Sequence, residues 1–131
     1  MNIIRSRFAL YIVAAVALAF GVATILSGGQ VLFGPESARE AAGHYIPFVV
    51  WFNFLAGFVY VAAAIGLATR QPWAAFLALV IAGATSLVFF YFVLFVLTGV
   101  PFESRTVGAM TLRIALWAGI AWFVRYRKDA R

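Results

Sequence analysis

Among the polar residues inside the long apolar runs of this sequence are Asn53, Tyr91 and Arg113. A guanidinium binds carboxylate or phosphate through two parallel hydrogen bonds. Inside a bilayer it costs about 2 kcal/mol or more unless it finds a partner. The apolar runs contain no aspartate or glutamate that could neutralise Arg113. We therefore expect Arg113 either to tie helices together, through Asn53, Tyr91 or the nearby Glu103, or to contact an anionic ligand.

The elements that must position these residues are four apolar runs, each about long enough to cross a hydrocarbon core of roughly 30 Å. The 131-residue chain is 66% hydrophobic and only 11% charged, which excludes an ordinary soluble domain. The sequence therefore predicts an all-α fold: one polytopic membrane domain over residues 1–131, an antiparallel four-helix bundle. The predicted spans are about 8–27, 46–68, 73–98 and 107–124.

The distribution of basic residues predicts the orientation of this bundle, because cytoplasmic segments are enriched in Lys and Arg. Two loops carry single arginines, Arg39 and Arg105, beside Glu36, Glu40 and Glu103. The other segments outside the spans hold Arg5, Arg7, Arg70, Arg125, Arg127, Lys128 and Arg131. Both termini should therefore be cytoplasmic. This asymmetry also accounts for the net charge of +6, so nucleic acid is not an expected partner.

The layout of the chain resembles that of small DoxX-like proteins of bacterial inner membranes, with four helices, short inner turns and a small polar crown outside. The resemblance is one of topology alone and carries no residue roles to this sequence. It implies a bacterial-type inner membrane as the location. A cleaved secretory signal is the alternative for the first run, but residues 8–26 are longer than the roughly 7–15 residues of a signal core.

The depth of the polar residues predicts a pocket open to the outer side. Asn53, Tyr91 and Arg113 each lie about seven residues below the outer end of their span, which is roughly 10 Å at 1.5 Å per residue. We expect these three residues to form its floor. The expected rim is His44, Glu40 and Glu103, and the expected aromatic walls are Trp51, Phe52 and Trp117.

A divalent metal site is a second interpretation of the outer loops, although it is not favoured. A short helix starting at Pro35 would place Glu36, Glu40 and His44 on one face if it continues past Gly43. Glu103 could then supply a fourth ligand. A single histidine with scattered glutamates lacks diagnostic spacing, and the absence of cysteine excludes a thiolate site. No cofactor is indicated.

An apolar pocket with one fixed cation suits an amphipathic or anionic, lipid-like ligand: a lipid, a fatty acid or a quinone-like molecule. Two other classes of function remain open. The chain could be an accessory subunit or assembly factor of a larger membrane complex, or form a homo-oligomer. It could also be a membrane enzyme that uses His44 as an acid or base near Arg113.

Overall fold

The structure, a computed structural model, describes residues 7–129, and their side chains as far as residue 125. Over this range it is all-helical and contains no strand. Arg5, Arg131 and the side chains of Arg127 and Lys128, which contributed to the predicted orientation, lie outside the described part. The helices in chain order are α1 (Arg7–Phe33), α2 (Glu36–Ala42), α3 (Pro47–Ala68), α4 (Trp73–Val96) and α5 (Ser104–Asp129).

Four of these helices, α1, α3, α4 and α5, are long and apolar enough to cross a membrane, as the sequence predicted. The boundaries differ from the prediction mainly at the end of α1 and at both ends of α5, which runs to Asp129 rather than to residue 124. α1 continues through Gly28 and Gly29 to Phe33, because Gly28 packs closely on α3: a Cβ there would lie 3.0 Å from the Cβ of Phe54. α5 begins at Ser104 rather than near residue 107, since the Glu103 carbonyl accepts the Thr106 N–H and starts the helix.

The spanning helices pack in a sequential order: α1 on α3, α3 on α4, and α4 on α5. α1 and α5 do not approach one another as closely. Residues late in α1 contact residues early in α3, as the Phe33 ring lies 5.7 Å from that of Trp51. The start of α3 likewise meets the end of α4, where Phe48 lies 5.6 Å from Phe95. Much of the core is alanine, which lets the helices lie close together.

The buried face of α3 carries small residues and a tyrosine at helical spacing. Gly57, Tyr60 and Ala64 are all buried, whereas Leu55 is exposed. Glycine is required at position 57 by a close approach of α1: a Cβ there would lie 2.7 Å from Ile25 and 3.1 Å from the Gly21 carbonyl oxygen. This face brings Asn53, one turn before Gly57, toward the other helices.

One end of the molecule, here called the α2 end, consists of α2 and the segments that flank it together with the start of α5. The Arg39 side chain donates hydrogen bonds to the carbonyls of Val31 and Gly34, which fastens α2 to the end of α1. α2 stops at Ala42 because Gly43 adopts a φ of 70°, a conformation that favours glycine. The helix therefore does not continue to His44, and the predicted helical face shared by Glu36, Glu40 and His44 does not form.

Candidate functional site: a cavity at the α2 end

A partly open cavity of about 230 Å³ lies at the α2 end between α1, α3 and α5. Its polar lining includes Asn53, Glu103, Arg105 and Arg113, and apolar side chains such as Val49 line the remainder. The structure thus brings three of the sequence-predicted site residues, Asn53, Arg113 and Glu103, to one cavity. Their roles in binding stay predictions.

Arg113 reaches from α5 across to α1 at the bottom of this cavity. Its Nη2 donates a long hydrogen bond of 3.4 Å to the Thr24 hydroxyl, and its guanidinium carbon lies 5.4 Å from the centre of the Phe20 ring. The Nε atom is buried and has no hydrogen-bond partner among the described residues. The arginine is therefore positioned by uncharged groups, and one of its donors is unused.

Asn53 supplies an unused acceptor on the α3 side of the cavity. Its Oδ1 atom is buried and has no partner within the part of the chain that the structure describes. Buried polar atoms are almost always hydrogen-bonded in folded proteins, because an unpaired one costs roughly 1–3 kcal/mol. Arg113 therefore keeps an unpaired donor and Asn53 an unpaired acceptor, both enclosed by the walls of the cavity.

Glu103 links the start of α5 to the loop before α3. Its Oε2 accepts the backbone N–H of His44 at 3.2 Å and lies 3.4 Å from the His44 Nδ1, while its Oε1 lies 3.5 Å from the Arg105 guanidinium. The His44 N–H, with smaller contributions from Arg105 and the imidazole, lowers the pKa of Glu103 below its usual value. Glu103 is therefore an ionised, already partnered carboxylate.

Arg105 holds the same junction from the other side. Its Nη2 donates to the carbonyls of Ala41 and Ala42 at 3.1 and 3.5 Å, at the C-terminal end of α2. A cation is favourable there because the last carbonyls of a helix carry partial negative charge. We call the contacts among His44, Glu103, Arg105 and the end of α2 the latch. Through Glu103, Arg105 and Ala42 the latch contributes to the lining of the cavity.

Beneath the cavity lies a fully buried aromatic pair, Tyr60 and Trp117, whose rings are 4.9 Å apart. Arg113 and Thr85 lie beside the Tyr60 hydroxyl. Neither this hydroxyl nor the Trp117 Nε1 has a hydrogen bond of good geometry to any described residue. The pair forms a rigid support for Arg113, which precedes Trp117 by one helical turn.

The remaining predicted residues lie elsewhere. Tyr91 is 61% exposed and packs edge-on against Phe48 on the outside of the bundle, so it does not join Asn53 and Arg113. Trp51 also faces outward, against Phe33 and Phe54. Trp117 is buried below the cavity rather than in its wall, and Phe52 packs against the alanine-rich core.

The residues considered for a metal site do not assemble. Glu36 and Glu40 are exposed on α2, whereas His44 and Glu103 meet on the other side of Gly43. Among the described residues no group of three or more histidine, cysteine, aspartate or glutamate side chains could hold a metal ion. The early end of α2 is the physical reason, since it removes His44 from the face that carries the two glutamates.

Several residues of the site were not predicted from the sequence, among them Thr24, Phe20 and Arg105. Thr24 carried a weak signal, as one of few polar residues inside α1, and Arg105 a stronger one, as a cation beside Glu103 in a short loop. Phe20 carried none, because phenylalanine is common throughout the apolar runs.

Searches found no protein-family model, curated protein or solved structure that matches this chain.

Proposed function

We propose that this chain is a membrane protein that binds an amphipathic anion, with the charged head of the ligand held by Arg113 in the α2-end cavity. The observation that carries the proposal is the guanidinium of Arg113, which lines the cavity with its Nε unpartnered. A carboxylate that pairs with the Nε–Nη2 edge through two hydrogen bonds would draw the enclosed Nε toward the cavity.

The charges around the cavity favour an anion. Two guanidiniums, Arg105 and Arg113, line it together with one carboxylate, Glu103. Glu103 is engaged by the latch, and within the described residues Arg113 forms no ion pair. The positive charge of Arg113 is therefore left for a ligand. A guanidinium that is partly buried without a counter-ion costs free energy. An anion that pairs with Arg113 relieves this cost, and the relief contributes to the free energy of binding.

The size and walls of the cavity favour the head of an amphipathic molecule over a whole polar one. At about 230 Å³ the cavity is smaller than the roughly 300–1,000 Å³ of pockets that enclose entire small ligands. Val31, Ile46, Val49 and Val50 supply an apolar wall. A fatty acid, another lipid or a quinone-like molecule combines a small polar head with an apolar body that can remain among the helices.

The proposed setting is the inner membrane of a bacterial-type cell, with the spans antiparallel, both termini cytoplasmic and the α2 end outside. The positive-inside rule supports this orientation, since Arg7, Arg70 and Arg125 lie at the ends opposite α2. Single cysteines at Arg39 and Arg70 would test it in this cysteine-free chain. An impermeant maleimide should label the first in intact cells and the second only after lysis; the reverse result would overturn the orientation.

Native mass spectrometry of the gently solubilised protein tests the binding proposal. The wild type and Arg7→Gln, a control that removes an exposed arginine at the start of α1, should both retain an anionic lipid-like adduct. Arg113→Gln should remain folded and should retain at least tenfold less of this adduct than the wild type. A wild-type chain without adduct that co-purifies with a stoichiometric larger partner would contradict the proposal and favour an accessory subunit.

A further inference from the structure

A second concavity lies between α1 and α5, beyond Arg113 as seen from the α2 end. It measures about 320 Å³ and is entirely apolar in its side chains. We call it the α1–α5 cleft. It exists because α1 and α5 do not pack as closely as the other neighbouring helices. From α1 it is lined by Ile12, Val13 and Val16, and from α5 by Ala115, Leu116, Gly119, Ile120 and Phe123.

The cleft and the α2-end cavity follow one another along the same pair of helices. On α1, Thr24 lines the cavity and Val16 lines the cleft, with Phe20 one turn from each. On α5, Arg113 lines the cavity and Leu116 lines the cleft, about one turn further along. The Arg113 guanidinium on the Phe20 ring thus marks the boundary between a polar compartment and an apolar one.

We infer that the α1–α5 cleft holds the hydrocarbon chain of a single-chain, fatty-acid-type carboxylate whose head group pairs with Arg113. This inference rests on the proposed function and names its ligand class. The carboxylate would meet the guanidinium edge, and the chain would run from Arg113 past Gly119 toward Phe123. That stretch spans roughly 9–15 Å along α5 at 1.5 Å per residue.

Two features select a single-chain carboxylate rather than a phospholipid. The head cavity is small, and the latch bridges it from the start of α5 to the loop before α3. A phosphate diester is bulkier than a carboxylate, and its attached polar group would have to fit into the same volume of about 230 Å³. There is also one cleft beside Arg113, bounded by two helices, which accommodates one chain.

Gly119 provides a selective way to fill the cleft. A Cβ added at Gly119 would have no heavy atom within 4 Å, so a larger side chain there occupies the cleft without colliding with the protein. Gly83 on α4 is a matched control, because a Cβ there also meets nothing within 4 Å and the residue is not among those that line the cleft. Leucine improves helix propensity at both positions, which favours folding of both variants.

The test is photo-crosslinking of a long-chain fatty acid that carries a diazirine in mid-chain, with the protein in phosphatidylcholine nanodiscs. Peptide mapping should place adducts on residues 12–16 and 115–123. Gly119→Leu should reduce this labelling at least fivefold, and Gly83→Leu should leave it unchanged. Val16→Trp, which fills the cleft from α1, should act like Gly119→Leu and provides a second variant.

Labelling spread evenly over exposed side chains such as Leu87 and Phe90, or unaffected by Gly119→Leu and Val16→Trp, would overturn the inference. So would equal labelling of the cleft by a phosphatidylglycerol with the same diazirine chain. Hexanoate is too short to fill the cleft. Its binding therefore tests the head-group site at Arg113 separately from the cleft. Binding of hexanoate that Arg113→Gln abolishes and Gly119→Leu preserves supports the head-group site by itself, whereas no hexanoate binding contradicts that site.

Discussion

The guanidinium of Arg113 is held by a threonine hydroxyl and an aromatic ring rather than by a carboxylate. A cation–π contact contributes about 0.5–2 kcal/mol, and the long hydrogen bond to Thr24 adds little because of its 3.4 Å length. The cost of an arginine deep in a membrane helix is about 2.5–3.5 kcal/mol on insertion scales. The partners that the protein supplies therefore offset this cost only in part, which is why an anion is expected to bind.

Asn53 and Arg113 could be identified from sequence because polar side chains are rare inside apolar spans. That both residues line the same cavity could not be derived from the sequence. Tyr91 lies at a similar predicted depth, yet it faces outward, since depth along a helix does not determine rotation about its axis. Thr24 and Phe20 of α1 also contact Arg113. Because α1 has few polar residues, its sequence gave little indication of which face points inward.

The stability that the latch contributes should depend on pH. The His44 N–H lowers the pKa of Glu103 below its ordinary value of 4.5, so the ionised carboxylate stabilises the folded state. That contribution is present above about pH 4.5 and is lost as the pH falls through the lowered pKa. Glu103→Gln should reduce the thermal midpoint at neutral pH, and its difference from wild type should shrink in acid.

His44→Ala is the matched control for the latch, because it removes the imidazole but keeps the backbone N–H that contacts Glu103. Its thermal midpoint should fall less than that of Glu103→Gln at neutral pH. Thermal unfolding in one detergent from pH 7 to pH 3 measures both variants. A Glu103→Gln difference that grows toward acid pH would show that the carboxylate is not stabilising in its ionised form.

At the scale of the helices, the closest contact is the crossing of α1 and α3 at Gly21 and Gly57. A Cβ at Gly21 would lie 3.0 Å from the Cβ of Tyr60 and 3.1 Å from the Gly57 carbonyl oxygen. Small residues at such crossings let backbones approach, which is the main source of packing energy between helices in lipid. This crossing fixes Tyr60, and with it the support beneath Arg113.

Gly57→Ala should therefore destabilise the protein by about 1–3 kcal/mol, the usual cost of overpacking. The methyl group would meet Ile25 at 2.7 Å and a backbone oxygen that cannot move away easily. Gly83→Ala should be neutral or slightly stabilising, because its Cβ meets nothing and alanine favours helix. Equilibrium unfolding in mixed detergent micelles measures both; equal effects of the two substitutions would contradict the close crossing.

The helices themselves were largely predictable, since runs of about 20 apolar residues carry a strong signal. Their inner faces are recognisable in the sequence only where small and polar residues recur at helical spacing, as at Gly57, Tyr60 and Ala64 on α3. Trp51 and Tyr91 had no such pattern around them. In a membrane helix the outward face is as apolar as the inward one, so apolar periodicity does not distinguish them.

For the molecule as a whole, the loosely packed seam between α1 and α5 is the central feature. The α2-end cavity and the α1–α5 cleft both lie along it, while the other neighbouring spans pack closely. Arg113 of α5 contacts Thr24 and Phe20 of α1 across this seam. A ligand that enters sideways between these two helices would meet the guanidinium without separating any closely packed pair.

Solid-state NMR on ¹⁵N-arginine-labelled protein in bilayers with a ¹³C-carboxyl-labelled fatty acid tests directly whether Arg113 binds the carboxylate. We predict dipolar contact between the carboxyl carbon and the Arg113 Nε and Nη2, assigned by its absence in Arg113→Gln and its retention in Arg7→Gln. A carboxyl signal that contacts no arginine, or a contact that persists in Arg113→Gln, would contradict the account.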